Sequence, residues 1–169
     1  NPLMILSYIK SSALGLLLLA WMLLPVAPAA ADPVEFSLVD LGGQSHNLAR
    51  YRGKWVVINF WATWCGPCID EIPELTAFQS RHGEEVDVIG IAFEKTPVEQ
   101  IRSFARDFNI NYPVLVIGDE PLVPLEPLKG LPSTFLLSPL GEVLHTHVGP
   151  VTAVQLAQWL DQFAGQVSN

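Results

Sequence analysis

Only two cysteines occur among the 169 residues. That count excludes a scaffold stapled by several disulfides, and it excludes a four-cysteine zinc site. Basic residues are scarce as well: nine Lys and Arg stand against 17 Asp and Glu, for a formal net charge of −8. Nucleic acid is excluded as a partner on that ground, because phosphate binding needs a basic footprint. Charge of either sign is thin, at 15% of residues, while 50% are hydrophobic and the mean hydropathy is +0.33. A positive mean is unusual for a soluble domain and directs attention to a membrane-facing stretch. The length admits one globular domain, at roughly 100–200 residues per domain.

The hydrophobic excess sits at the start. Between Lys10 and Asp32 lie 21 residues without charge, densest from Ala13 to Leu24. Pro25 and Pro28 follow, and Ala29-Ala30-Ala31 before Asp32 supplies an Ala-x-Ala cleavage pattern. Residues 1–31 are therefore read as a signal peptide or an N-terminal membrane anchor, since about 20 apolar residues can span a bilayer. Either reading exports residues 32–169 and leaves Lys10 on the cytoplasmic side. The expected location is the cell envelope, periplasmic or otherwise extracytoplasmic, either free or anchored to the inner membrane by residues 11–31. Contact with the membrane is through that segment only. Of the first 31 residues 22 are apolar, so the leader accounts for the positive hydropathy.

From Asp32 onward strands and helices alternate. Val34–Val39 reads as a short strand. Trp55–Phe60 is a continuous apolar run, as in a central strand buried on both faces. A helix follows over about Pro67–Arg81, with Ile69, Ile72, Leu75 and Phe78 along one side. Val86–Phe93 is the next strand. Pro97–Phe108 is an amphipathic helix with Ile101, Phe104, Ala105 and Phe108 inward. Val114–Ile117 is a short strand, and Pro121, Pro124 and Pro127 forbid a regular helix over Asp119–Lys129. Thr134–Leu137 and Glu142–Val148 flank the turn Ser138-Pro139-Leu140-Gly141, a hairpin signal. Val151–Phe163 closes the chain as a helix. This pattern implies an α/β fold: a central mixed β-sheet with helices on both faces and an extra N-terminal strand.

Both cysteines fall in Trp64-Cys65-Gly66-Pro67-Cys68, after a buried strand and at the opening of a helix. Pro67 fits the first turn, where its missing N–H costs nothing. The unpaired N–H groups of that turn and the helix dipole stabilise a thiolate at Cys65. Cysteine pKa falls from about 8.5 to roughly 3.5–7.5 in such settings. Cys65 is the expected nucleophile and Cys68, one turn in, the more buried resolving thiol. Two other readings stand beside this one. A stapling disulfide is weak, worth about 2 kcal/mol in so short a loop. A metal site needs two further ligands, for which His145 and His147, two apart on a strand, are candidates.

Phe60-Trp61-Ala62-Thr63-Trp64-Cys65-Gly66-Pro67-Cys68, followed by Glu71-Ile72-Pro73-Glu74-Leu75, resembles the thioredoxin superfamily. More narrowly it is similar to the TlpA-like, ResA-like branch of exported thiol–disulfide oxidoreductases. Gly130-Leu131-Pro132-Ser133-Thr134-Phe135 matches that family's cis-proline segment, and Pro139-Leu140-Gly141-Glu142-Val143 its final hairpin. The resemblance covers about Val34–Phe163 and implies a thioredoxin-like fold. It implies that Pro132 is cis and faces the cysteines, leaving the backbone of Leu131 for strand-like pairing with a client. Trp64, Gly66 and Pro67 complete the implied client surface, whereas Trp61 is read as core.

Glu71 lies three residues after Cys68, so the two share a helix face. In this branch the matching glutamate tunes the active-site thiols and moves protons. A partly desolvated carboxylate suits that work, because burial raises its pKa toward neutrality. The alternative is a solvated first-turn glutamate. Asp70 and Glu74 are read as surface charges. Thioredoxins carry a buried Asp on the strand before the motif, and Asn59 stands there here. Asn is no base, so proton transfer shifts to Glu71 or water, with Glu94 at the end of the next strand as a second candidate.

The resemblance implies a protein disulfide reductase in which Cys65 attacks and Cys68 resolves, with no prosthetic group and no metal beyond the redox-active Cys65–Cys68 pair. Implied partners are disulfide-containing clients, such as apocytochrome c in cytochrome c maturation, and a membrane electron donor protein. Two rivals remain. One is a copper-handling protein using Cys65, Cys68 and His147. The other is a peroxiredoxin-type peroxidase, although Thr63 stands two before Cys65 and no Pro-x-x-x-Thr-x-x-Cys occurs.

Overall fold

The computed structural model describes residues 32–117, 124–125 and 127–167. The leader reading for residues 1–31 lies outside these, as do Asp119 and Pro121 of the proline-rich stretch. Among the described residues no helix is long and apolar enough to cross a membrane.

Among the described residues seven strands form one sheet: β1 Ser37–Asp40, β2 Ser45–Asn47, β3 Trp55–Trp61, β4 Val86–Ala92, β5 Val114–Val116, β6 Ser133–Leu137 and β7 Val143–Val148. Their order is β2-β1-β5-β4-β3-β6-β7. β3 pairs parallel with β4, and β4 with β5, while β1, β6 and β7 join antiparallel. β3 is at the centre because Val56, Val57, Ile58 and Phe60 suit a strand packed on both faces; each is at most 2% exposed.

Among the described residues three α-helices accompany the sheet: α1 Gly66–His82, α2 Val98–Asp107 and α3 Ala153–Val167. From β3 to β4 to β5 the parallel strands advance in one direction, and right-handed crossovers put α1 and α2 on the same face. Ile101 and Phe104 of α2 pack with Trp61, Ala92, Val114 and Val116. Leu75 and Phe78 of α1 and Leu156 and Leu160 of α3 pack with Val57, Val88 and Leu136. The opposite face, with Val56, Ile58, Phe60, Ile89 and Ile91, is covered by Leu48 and Tyr51 of a 3-10 helix (Leu48–Tyr51) and by Val34, Phe36, Leu125 and Leu128. Helix on that second face is thus, among the described residues, only the 3-10 turn.

The first strand begins at Ser37 rather than Val34 and pairs with β2, three polar residues that carry no strand pattern. Phe108, expected inward, is 38% exposed. It falls on the C-cap of α2, where the chain leaves the helix, and stacks on Phe104 with ring centroids 4.3 Å apart. Gly141 closes the final hairpin at φ +87°, a conformation favouring glycine. Gly90 in β4 has a different reason: a Cβ there would stand 2.8 Å from Trp61 Nε1 and 3.1 Å from the Tyr112 ring.

Candidate active site

The site is built where β3 ends and α1 begins. Cys65 is the N-cap of α1, with extended backbone at φ −90° and ψ 103°, and its sulfur accepts the Cys68 N–H at 3.3 Å. The turn is held by Cys65 N–H to Ala62 C=O and by Ile69 N–H to Cys65 C=O, both 3.1 Å. Pro67 occupies the first turn, where a missing donor costs nothing. Cys65 and Cys68 are joined in a disulfide. Cys65 is 6% exposed and Cys68 fully buried. The Cys68 N–H and the dipole of α1 meet at the outer sulfur, which favours negative charge there once the bond is reduced.

Around the disulfide the surface is apolar. Trp64, next to Cys65 in sequence, is 70% exposed, an unusual placement for so large a ring. Leu131 packs against the cluster that contains both cysteines. The Leu131–Pro132 peptide is cis. Pro132 C=O accepts from Gly149 N–H at 2.9 Å, and Ser133 Oγ donates to Gly130 C=O at 2.7 Å, fixing the segment on both sides. Trp61 is core, 1% exposed and stacked on Phe104.

Glu71 is not a solvated first-turn charge. It is 2% exposed, one turn below Cys68, on the face of α1 that meets the sheet. Its Oε1 accepts from Asn59 Nδ2 at 2.7 Å, and its Oε2 accepts from Val151 N–H at 2.8 Å. Burial pushes its pKa up to about 7 from the ordinary 4.5, and the two hydrogen bonds hold it back in part. Asn59 Nδ2 also donates to Thr134 Oγ1 at 3.1 Å. Tyr112 is buried nearby: burial raises its phenol pKa, and the Glu71 charge raises it further.

Glu94, the second candidate for proton transfer, is bound to the turn that precedes the cysteines. Its carboxylate accepts from Thr63 N–H at 2.6 Å, from Thr63 Oγ1 at 2.9 Å, and from Thr96 Oγ1. It thereby ties the turn before Cys65 to the end of β4, and it occupies the Thr63 hydroxyl that a peroxidase reading would use. Glu74, expected as a surface charge, is half-buried and accepts the Ala153 N–H at 2.8 Å, capping the first turn of α3. Asp70 is exposed. His145 and His147 pack against Trp159. Among the described residues no group of three or more His, Cys, Asp and Glu side chains could hold a metal ion, so Cys65, Cys68 and His147 are not brought together as the copper-handling reading requires. Sequence reasoning missed Thr134 and the Val151 N–H as partners in the buried cluster. Thr134 becomes visible only once β6 is paired with β3, which sets it opposite Asn59.

Residues 29–146 match the AhpC/TSA family. The thiol–disulfide oxidoreductase ResA of Geobacillus kaustophilus is 34% identical over 139 residues, covering 80% of this chain and 78% of that protein. The thioredoxin-like protein YneN of Bacillus subtilis is 33% identical over 131 residues, covering 75% of each. Among solved structures, a DsbF homologue from Corynebacterium diphtheriae aligns with a TM-score of 0.72 at 26% identity, over 79% of this chain and 87% of that one. StoA from Bacillus subtilis aligns at 0.65 and 25% identity, over 76% and 98%. The fold is thioredoxin-like, as its sequence motifs implied.

Proposed function

The chain belongs to the AhpC/TSA family, and from that premise we propose that it is a thiol–disulfide oxidoreductase that reduces disulfides of client proteins outside the cytoplasm. The observation that carries the reading is the Cys65–Cys68 disulfide at the mouth of α1, with a buried carboxylate of raised pKa one turn below it. That pairing gives one sulfur a helix terminus and the other a proton acceptor.

The chemistry runs in two displacements. The Cys65 thiolate attacks a client sulfur; the Cys65–client bond forms and the client's other sulfur leaves as thiolate. Cys68 gives its proton to Glu71 and attacks the Cys65 sulfur; the Cys65–Cys68 bond forms and the client thiolate departs. Two electrons pass from the enzyme dithiol to the client, carried by sulfur alone without a prosthetic group. A membrane electron donor protein restores the dithiol. Trp64, Pro67 and the Leu131–Pro132 segment receive the client.

Export is supported by the 21 uncharged residues before Asp32. The reductive direction is supported by Gly66-Pro67, the dipeptide of reducing thioredoxins. Apocytochrome c is the client class that the ResA-like branch implies. A peroxidase is disfavoured because Thr63 Oγ1 is already bonded to Glu94.

Insulin reduction, followed as turbidity with dithiothreitol as donor, tests the activity. The wild-type chain should accelerate precipitation well above dithiothreitol alone, and Cys65→Ser should abolish the gain. A wild-type rate equal to the blank overturns the reading. Equilibration with glutathione fixes the direction: a reductase should lie toward the −270 mV end of the span from about −270 to −120 mV.

A further inference from the structure

As a carboxylate, Glu71 is matched on both oxygens: Oε1 accepts from Asn59 Nδ2 and Oε2 from Val151 N–H. As a carboxylic acid it is not. Each oxygen then faces a donor, and the new O–H meets no acceptor among these partners. The Val151 N–H belongs to the backbone and cannot reverse. The Asn59 amide can, because it carries donors on one end and an acceptor on the other, and a half turn about Cβ–Cγ exchanges them. Its nitrogen makes both present contacts, 2.7 Å to Glu71 and 3.1 Å to Thr134 Oγ1, while its Oδ1 is buried with no partner.

We propose that Asn59 is a positioning residue whose amide reverses when Glu71 gains a proton, so that Oδ1 accepts the Glu71 O–H and Thr134 Oγ1 changes from acceptor to donor. A hydroxyl can serve in either sense. Each orientation leaves one amide atom unpaired, Oδ1 in the first and Nδ2 with its two N–H in the second, so neither escapes the cost of burying an unpaired group, and the first is preferred while Glu71 is a carboxylate. The proton on Glu71 then decides between them.

The proposal rests on the oxidoreductase reading for its use. A fixed donor at Asn59 would hold Glu71 as carboxylate and oppose uptake of the Cys68 proton. A reversible amide supports both ionisation states of Glu71 and adds no charge, whereas an Asp in its place would set a second titrating group against the first. The Tyr112 hydroxyl is also buried without a hydrogen-bond partner, but no contact joins it to Glu71, whereas Asn59 is already bonded to Glu71. Cys65 and Cys68 are joined to each other, and Glu74 is bound to Ala153 N–H. Tyr112 is buried before β5 and feels the Glu71 charge, and His147, opposite Thr134 on β7, packs on Trp159.

The test is NMR of the oxidised full-length chain in neutral detergent, with labelled Asn and Glu side chains. At pH 9 the Asn59 NH2 protons should show cross-relaxation with Thr134. At pH 5 that signal should be lost, with the same midpoint as the Glu71 carboxyl carbon. In Glu71→Gln the Asn59 signals should be independent of pH over that range. An Asn59–Thr134 signal unchanged while Glu71 titrates overturns the proposal. So does a Glu71 that keeps one ionisation state from pH 5 to 9. The experiment needs no client, so failure of the oxidoreductase reading would be seen separately, as absent insulin reduction.

Discussion

Replacing Glu71 by Gln should remove a pH dependence from the stability of the oxidised protein. The carboxyl titrates near its ordinary 4.5 when unfolded and at about 7 when folded, the rise coming first from burial. A raised pKa means that the folded state binds the proton more tightly. The contribution is fully present below pH 4.5 and is lost as the pH climbs through 7. At about 1.4 kcal/mol per pKa unit, the loss is about 3 kcal/mol, a large share of the 5–15 kcal/mol that holds a domain folded. Because Glu71 is 2% exposed, little of this is screened by solvent. Urea unfolding of both proteins at a series of pH values from 4.5 to 8.5, disulfide intact, measures it. The Gln variant carries its own constant offset, since its amide cannot accept from both Asn59 and Val151. The change with pH is therefore the quantity of interest. The variant should gain about 3 kcal/mol on the wild type between the two ends. A difference that stays flat across the series would refute a buried, neutral-range carboxyl.

Three further substitutions probe the surroundings. Trp64→Ala removes a ring that is 70% exposed; stability should change by less than about 0.5 kcal/mol, while KM for a protein client rises and reaction with a small disulfide is unaltered. Glu94→Ala frees the Thr63 N–H and hydroxyl; urea unfolding should show a loss of about 1–3 kcal/mol, and insulin reduction should slow as the turn before Cys65 loosens. Gly90→Ala forces a methyl against Trp61 Nε1 and the Tyr112 ring; calorimetry should show destabilisation of about 1–3 kcal/mol from overpacking.

Long apolar runs made β3 and β4 legible, because strands with six of seven residues buried have few alternatives. α1 was legible from its apolar stripe and from Cys65-Gly66-Pro67, which starts a helix by capping and by proline. β2 was not, since Ser45-His46-Asn47 has no hydrophobic alternation; its His46 is buried by hydrogen bonds to Tyr51 and Asp40 instead. Local pattern likewise misjudged Phe108 and Glu74. Phe108 stands on the C-cap of α2, where the helical pattern stops applying, and Glu74 meets the start of α3, distant in sequence. The cysteines could be placed from their own neighbours. The Glu71–Asn59–Thr134 cluster could not, because it depends on β3–β6 register and on an α1–sheet contact that no local window contains.

In the proposed cycle Cys65 attacks clients and Cys68 releases them. Expression of Cys68→Ser in the native host, followed by non-reducing separation and mass spectrometry, addresses it most directly. Disulfide-linked adducts should accumulate through Cys65, disappear on reduction, and be absent from the Cys65→Ser, Cys68→Ser double variant. If no adducts accumulate, and none form with added oxidised protein substrates, the assignment of Cys65 as nucleophile and of the chain as an oxidoreductase is contradicted.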